Sequence, residues 1–129
     1  MSTIDDLAQG KYLSLTTFRS DGTAVATPVW LVRDGGALRV ITQADSGKAK
    51  RLRKDSRVLV APCDARGNLK GEQVEGTATL EDAGETARTA QLIEKRYGLL
   101  GKLFMWRSRR AARKPGAAGM VGIRVSVAG

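Results

Sequence analysis

Six stretches of this chain carry the apolar patterning of short β-strands, each bounded by turn-forming residues. The clearest is the last, where Val121, Ile123, Val125 and Val127 share one face and Gly122, Arg124 and Ser126 the other, as in a half-buried strand. Before it come 12–18 (Tyr-Leu-Ser-Leu-Thr-Thr-Phe), 24–32 (Ala-Val-Ala-Thr-Pro-Val-Trp-Leu-Val), 38–42, 57–63 and 72–80. Arg19-Ser20-Asp21-Gly22 separates the first two and Asp34-Gly35-Gly36 precedes the third. Both Asp-Gly pairs supply the positive φ of a tight hairpin, so the first 42 residues read as an antiparallel meander. Pro28 has no amide to donate, which places its nitrogen at an edge, a bulge or a ligand.

Helical patterning is confined to four places. Ser2 to Leu7 has a capping residue followed by early acids. A basic helix spans about 46–54, and Gly84 to Tyr97 carries Ala87, Ala90, Leu92 and Ile93 among good helix formers. Gly98 and Gly101 are expected to break that helix before a strongly basic helix or lid from Lys102 to Arg113, which Lys114-Pro115-Gly116 ends. Six strands with hairpin turns at this spacing predict a mainly β fold with peripheral helices. The expected form is a closed or nearly closed antiparallel barrel in one domain, residues 1–129.

Aromatic residues make up 5% of the chain, so the core falls to Val, Leu, Ile and Ala. Histidine is absent, which removes Ser-His-Asp and Cys-His catalysis and histidine ligation of zinc or haem. The single cysteine, Cys63, excludes an internal disulfide and a cysteine-rich metal site. With no base nearby it reads as a small buried filler. With no leader peptide pattern and no apolar run of about 18 residues, a cytoplasmic protein without membrane insertion is expected. The net charge of +9 favours anionic partners without choosing among a phosphorylated cofactor, an acidic substrate, nucleic acid or a membrane surface.

The candidate chemistry concentrates in Asp45-Ser46-Gly47-Lys48-Ala49-Lys50-Arg51-Leu52-Arg53-Lys54-Asp55, which follows the strand ending at Thr42. A helix start has unpaired N–H groups, Ser46 can cap it, and Lys48 and Lys50 add positive charge. The segment is therefore either a phosphate cradle or a solvated basic face. Residues 102–114 are also open. They read as an amphipathic helix with Leu103, Phe104 and Trp106 on the barrel, a lid over an anionic ligand, or a basic surface patch. No helix-turn-helix, zinc-finger or RNA-binding signature supports nucleic acid.

Taken together, Tyr12-Leu13-Ser14-Leu15-Thr16-Thr17, Asp21-Gly22, Ala26-Thr27-Pro28-Val29-Trp30, Lys48 to Val58 and Gly76-Thr77-Ala78 resemble the pyridoxamine 5′-phosphate oxidase-like split β-barrel family. The resemblance is nearest to its flavin/deazaflavin oxidoreductase branch that uses coenzyme F420. It covers about residues 8–82 and the final strand, and implies an FMN-binding-like split barrel that forms a homodimer with the cofactor at the subunit interface. By position, Lys48 matches the family's phosphate-binding lysine, with Ser46 and Lys50 beside it on the same cradle. Pro28, Val29 and Trp30 match the strand beside the deazaflavin ring, although Trp30 also suits a plain core position. Thr42 would reach the ring–phosphate linker, and Ala61, Pro62 and Cys63 match the strand wall near the ring. The activity implied is hydride transfer from reduced F420 to a conjugated small molecule such as a biliverdin-like tetrapyrrole, a quinone or an unsaturated carbonyl compound. FMN in place of F420, and a non-catalytic flavin, deazaflavin or tetrapyrrole carrier, are the alternatives. Such chemistry needs no histidine, because the cofactor carries the hydride and the protein binds and orients it.

Overall fold

The computed structural model describes the backbone of residues 4–112 and 119–127, and the side chains of 4–98 and 119–127. Six strands form one closed antiparallel barrel: β1 (Tyr12–Phe18), β2 (Ala24–Asp34), β3 (Ala37–Gln43), β4 (Arg57–Cys63), β5 (Val74–Leu80) and β6 (Met120–Val127). The order around the barrel is β1-β2-β3-β6-β5-β4. The predicted meander is the β1-β2-β3 arc. Gly22 (φ 88°) and Gly35 (φ 62°) hold the left-handed conformations that the two Asp-Gly turns require. Closure comes from β1 pairing with β4 and β3 with β6. Pro28 is tolerated because only Leu31 to Asp34 of β2 pair with β3, so on that side the first half of β2 is an edge.

Alternate residues of every strand point inward. Leu13, Leu15, Leu31, Leu38, Val40, Val58, Val60, Ile123 and Val125 are all fully buried in one core. Two short helices close the ends. α1 (Ile4–Gln9) inserts Leu7 where β1 begins. α2 (Gly47–Leu52) inserts Ala49 and Leu52 where β1 finishes, and its Arg51 Nε donates to Thr17 Oγ1 at 2.6 Å. Both ends are therefore filled, and a small barrel of this kind has no interior space for a ligand.

The third helix, α3 (Ala83–Ala112), lies outside, on β6, β3 and the second half of β2. Its inner face, with Ala90 and Ile93, packs on Val32 and Ile41. Beneath it, Arg39 on β3 is buried and ion-paired to Glu81 (2.9 Å), Glu85 (2.6 Å) and Asp34 (3.0 Å). One of the two expected glycine breaks occurs. Gly98 (φ 60°, ψ −130°) kinks the helix, whereas Gly101 stays helical and α3 continues through it. Glycine permits a break without imposing one, and in a helix it costs only about 1 kcal/mol. The expected stop at Lys114-Pro115-Gly116 and the side chains of the basic 102–114 segment lie outside the described residues. Among the described residues no helix is long and apolar enough to cross a membrane.

Candidate functional site

The β1–β2 turn fixes the register of the hairpin, and the register puts Tyr12 opposite Trp30 and Ser14 opposite Pro28. On the other side of β1, Tyr12 faces Cys63 and Ser14 faces Ala61. Leu13 and Val29 point into the core, so Tyr12, Trp30 and Pro28 stand on the outer face. These outer residues line a groove of about 410 Å³ that runs from β2 across the end of β3 to the start of α2. Val29, Ile41, Thr42, Gln43, Lys48 and Met120 complete it.

The groove has an aromatic, apolar side and a cationic end. Trp30 is not a plain core residue. Its ring stacks on Tyr97 of α3, with 4.6 Å between centroids and 12° between planes, and it is partly buried against the Val32–Ile41–Ile93 cluster while also lining the groove. Tyr97 is fixed in turn. Its hydroxyl accepts from the Leu31 N–H (3.1 Å) and lies 2.7 Å from the Leu31 carbonyl and 2.8 Å from that of Lys11. Arg96 next to it donates to the carbonyls of Leu31, Ala8 and Gly10, which clamps α3 to β2 and to the end of α1. The aromatic wall is therefore rigid.

At the other end, Ser46 caps α2 as its sequence position predicts, accepting from the Ala49 N–H at 3.2 Å. Thr42 is buried and its hydroxyl reaches Ser46 Oγ at 3.4 Å, so strand end and helix cap are tied together. Lys48 is half-buried. Burial, followed by the neighbouring Arg51 guanidinium, holds its ammonium pKa below the usual lysine value of 10.5. No carboxylate among the described residues pairs with Lys48. A desolvated cation without a counter-ion at the end of an apolar groove is suited to an anionic group on an otherwise planar, apolar ligand.

The ten sequence-nominated residues do not all meet. Pro28, Val29, Trp30, Thr42 and Lys48 share the groove, and Ser46 stands behind Thr42. Lys50 is exposed and lines a different depression with Phe18, Arg19 and Arg51, because two residues along a helix turn the side chain to the far face. Ala61 is fully buried. Pro62 and Cys63 line a separate hollow beside Lys11 and Lys70, which Tyr12 shares with the groove. Burial pushes the Cys63 thiol pKa up, so it is a poor nucleophile. Sequence patterning alone does not single out Tyr12, Ile41, Gln43, Met120 or Tyr97 for this site. Tyr12 alone had a usable signal, since the Asp21-Gly22 turn places it opposite Trp30.

Comparison with known proteins agrees with this architecture. No curated protein matches the chain. A conserved hypothetical protein from Mycobacterium tuberculosis superposes with a TM-score of 0.69 at 23% identity, covering 98% of this chain and 81% of its own. An F420 reductase gives 0.62 at 22%, covering 100% and 96%. A pyridoxamine 5′-phosphate oxidase-related, FMN-binding protein from Nostoc punctiforme gives 0.59 at 16%, covering 91% and 70%. At these identities the likeness is one of fold. A family model matches residues 4–128 and so takes in every strand of the barrel, the groove and α2. The chain belongs to the family it describes, pyridoxamine 5′-phosphate oxidase.

Proposed function

We propose that the groove binds a flavin-type cofactor, that this cofactor is the deazaflavin F420, and that the protein is an F420-dependent oxidoreductase. The observation that carries the reading is the pairing, in one groove, of a fixed aromatic and proline wall with a half-buried lysine that has no carboxylate partner among the described residues. A planar ring suits the Pro28–Trp30 side and a phosphate suits Lys48 with Ser46 and Thr42 behind it. The net charge of +9 and the F420 reductase among the similar folds favour the deazaflavin. The FMN-binding neighbour supports FMN as the second reading.

When bound, the cofactor supplies the hydride. The residues of this chain bind it, orient its ring along β2 and keep water from one face. A conjugated small molecule such as a quinone, an unsaturated carbonyl compound or a biliverdin-like tetrapyrrole is the acceptor class.

The site is proposed to be completed by a second copy of the chain. Across β2, β1 and β4 the outer face reads Ala26–Thr16–Leu59, Pro28–Ser14–Ala61 and Trp30–Tyr12–Cys63, mostly small residues, with Ser14, Thr16, Ala61 and Cys63 buried between their neighbours. The Thr16 hydroxyl on it is buried without a hydrogen-bond partner, and Leu69 nearby on the β4–β5 connection is 49% exposed. A two-fold dimer through this face would cover Leu69. Ala26 is exposed, so Ala26→Glu should leave the barrel folded and split the dimer. Light scattering at micromolar concentration should find a dimer for the parent and a monomer for the variant, with cofactor affinity falling in parallel. A parent that is monomeric with cofactor bound would contradict the arrangement.

Fluorescence titration of the purified protein tests the cofactor. F420 should bind at least ten-fold more tightly than FMN, about 1.4 kcal/mol. Equal or reversed affinities would transfer the reading to FMN. Tight binding without faster reoxidation of reduced F420 across a panel of conjugated acceptors would make the protein a carrier.

A further inference from the structure

A second depression of about 490 Å³ lies between α2 and the end of β1, with Lys50 and Lys54 on the side of α2 away from Lys48 and Arg51 between the two. Phe18, Arg19, Lys50, Arg51, Lys54 and Asp55 are in its lining. It holds four cationic side chains and one carboxylate. Elsewhere Arg33 pairs with Asp5, Arg39 with three acids, Arg57 with Glu75 and Arg88 with Asp34, while Arg53 and Arg96 donate to backbone carbonyls. Here, among the described residues, none of the four has an ion-pair partner. Asp55 forms no ion pair with them; its Oδ1 accepts the Arg57 N–H at 3.0 Å, and its single negative charge leaves the lining with an excess of positive charge.

Nor is the charge on a freely moving chain. Arg51 Nε is held by the buried Thr17 hydroxyl at 2.6 Å. Its Nη1 lies so close over Gly47 that a Cβ there would be 2.7 Å away. The guanidinium is thus fixed at the wall of the depression with both Nη groups left to donate. A guanidinium so placed binds phosphate or carboxylate oxygens with little loss of side-chain freedom. Phe18 beneath is occupied on one face by Arg57, 4.7 Å from its centroid, and forms an apolar floor.

We propose that this depression is a second anion-binding site, separate from the groove, which takes a small ligand carrying two or more phosphate or carboxylate groups. Even with Asp55 in the lining and Asp21 acting on Arg19, the excess of positive charge favours a ligand with more than one negative charge, and the fixed guanidinium separates the site from a diffuse basic surface.

Isothermal titration with tripolyphosphate and with citrate, in about 0.1 M salt so that diffuse attraction is screened, tests it. One ion per chain should bind with a Kd below about 1 mM. The two probes separate a phosphate ligand from a carboxylate ligand, and binding of either one supports the site. Arg19→Gln with Lys54→Gln, both exposed and harmless to the fold, should weaken binding at least ten-fold. Arg66→Gln with Lys95→Gln, an equal loss of charge on exposed positions elsewhere, should change it less than two-fold. The titrations use the Lys48→Ala background, so that phosphate binding in the groove does not contribute. Absence of binding for both ions, or equal losses from the two double variants, would each overturn the proposal.

Discussion

Lys48→Ala is expected to weaken cofactor binding ten- to a hundred-fold, about 1.4–2.7 kcal/mol. The magnitude is that of a hydrogen bond between a charged donor and a phosphate, roughly 1.5–3 kcal/mol. Lys48 is half-buried in the groove and has no carboxylate partner among the described residues, so an anion there recovers solvation that the fold has removed. Stability should move the other way. Because the folded state lowers the lysine pKa, folding disfavours the charged form at neutral pH, and removing it should leave the melting temperature unchanged or raised. The same shift sets a pH dependence. Phosphate binding needs the ammonium, so affinity should decline as pH rises through the lowered Lys48 value, below the 10.5 of free lysine, and the decline should vanish in Lys48→Ala. Lys95→Ala, on the exposed side of α3, is the charge-matched control and should alter affinity less than two-fold. If Lys48→Ala and Lys95→Ala behave alike in fluorescence titrations, the groove is not the phosphate site.

Arg39→Ala should lower folding stability by about 3–5 kcal/mol, the usual effect of removing one partner from a buried ion pair. The Arg39 side chain is 6% exposed and that of Glu81 is 3% exposed, so alanine would strand a carboxylate under α3. The three surrounding acids keep the Arg39 pKa raised despite its burial. Glu81 would retain Thr89, whose hydroxyl donates to it at 2.6 Å, but would lose its charge compensation. Arg39→Lys keeps a charge without the two-pronged geometry and should fall between the parent and alanine. Urea denaturation followed by circular dichroism measures both. Since a domain of this size holds some 5–15 kcal/mol, the alanine variant removes a large share of the total. A loss under about 1 kcal/mol would mean that the cluster behaves as a solvated surface pair. The effect bears on the site as well, because α3 carries the Tyr97 that stacks on Trp30.

Much of this molecule was legible in local patterning. The strands at 12–18 and 57–63 begin and end where the alternation says, and the Asp-Gly pairs turn where a positive φ is needed. Ser46 caps α2 and Pro28 sits on an unpaired strand edge. Each of these rests on interactions among residues close in sequence or on the two-residue period of a strand, which one chain displays without its partners. Turn geometry even extends to the first side of the groove, since it places Tyr12 opposite Trp30.

The remainder depended on which distant faces came together. Lys48 and Lys50 are equivalent in sequence terms. Only the packing of Ala49 and Leu52 into the barrel end fixes the rotation of α2, and that rotation sends Lys48 to the groove and Lys50 to the other depression. Arg39 looks like a solvent-facing strand residue until α3 covers it, and Tyr97 like an ordinary helix position until it meets a β2 ring 67 residues earlier. Gly98 breaks a helix and Gly101 does not, although both are glycine. The sequence by itself determined where elements start, stop and bury a face, because those are short-range properties of the backbone. Closure of β1 on β4 and β3 on β6 decided which faces are opposed, and the groove, the buried charge cluster and the separation of the two lysines are all consequences of that long-range pairing.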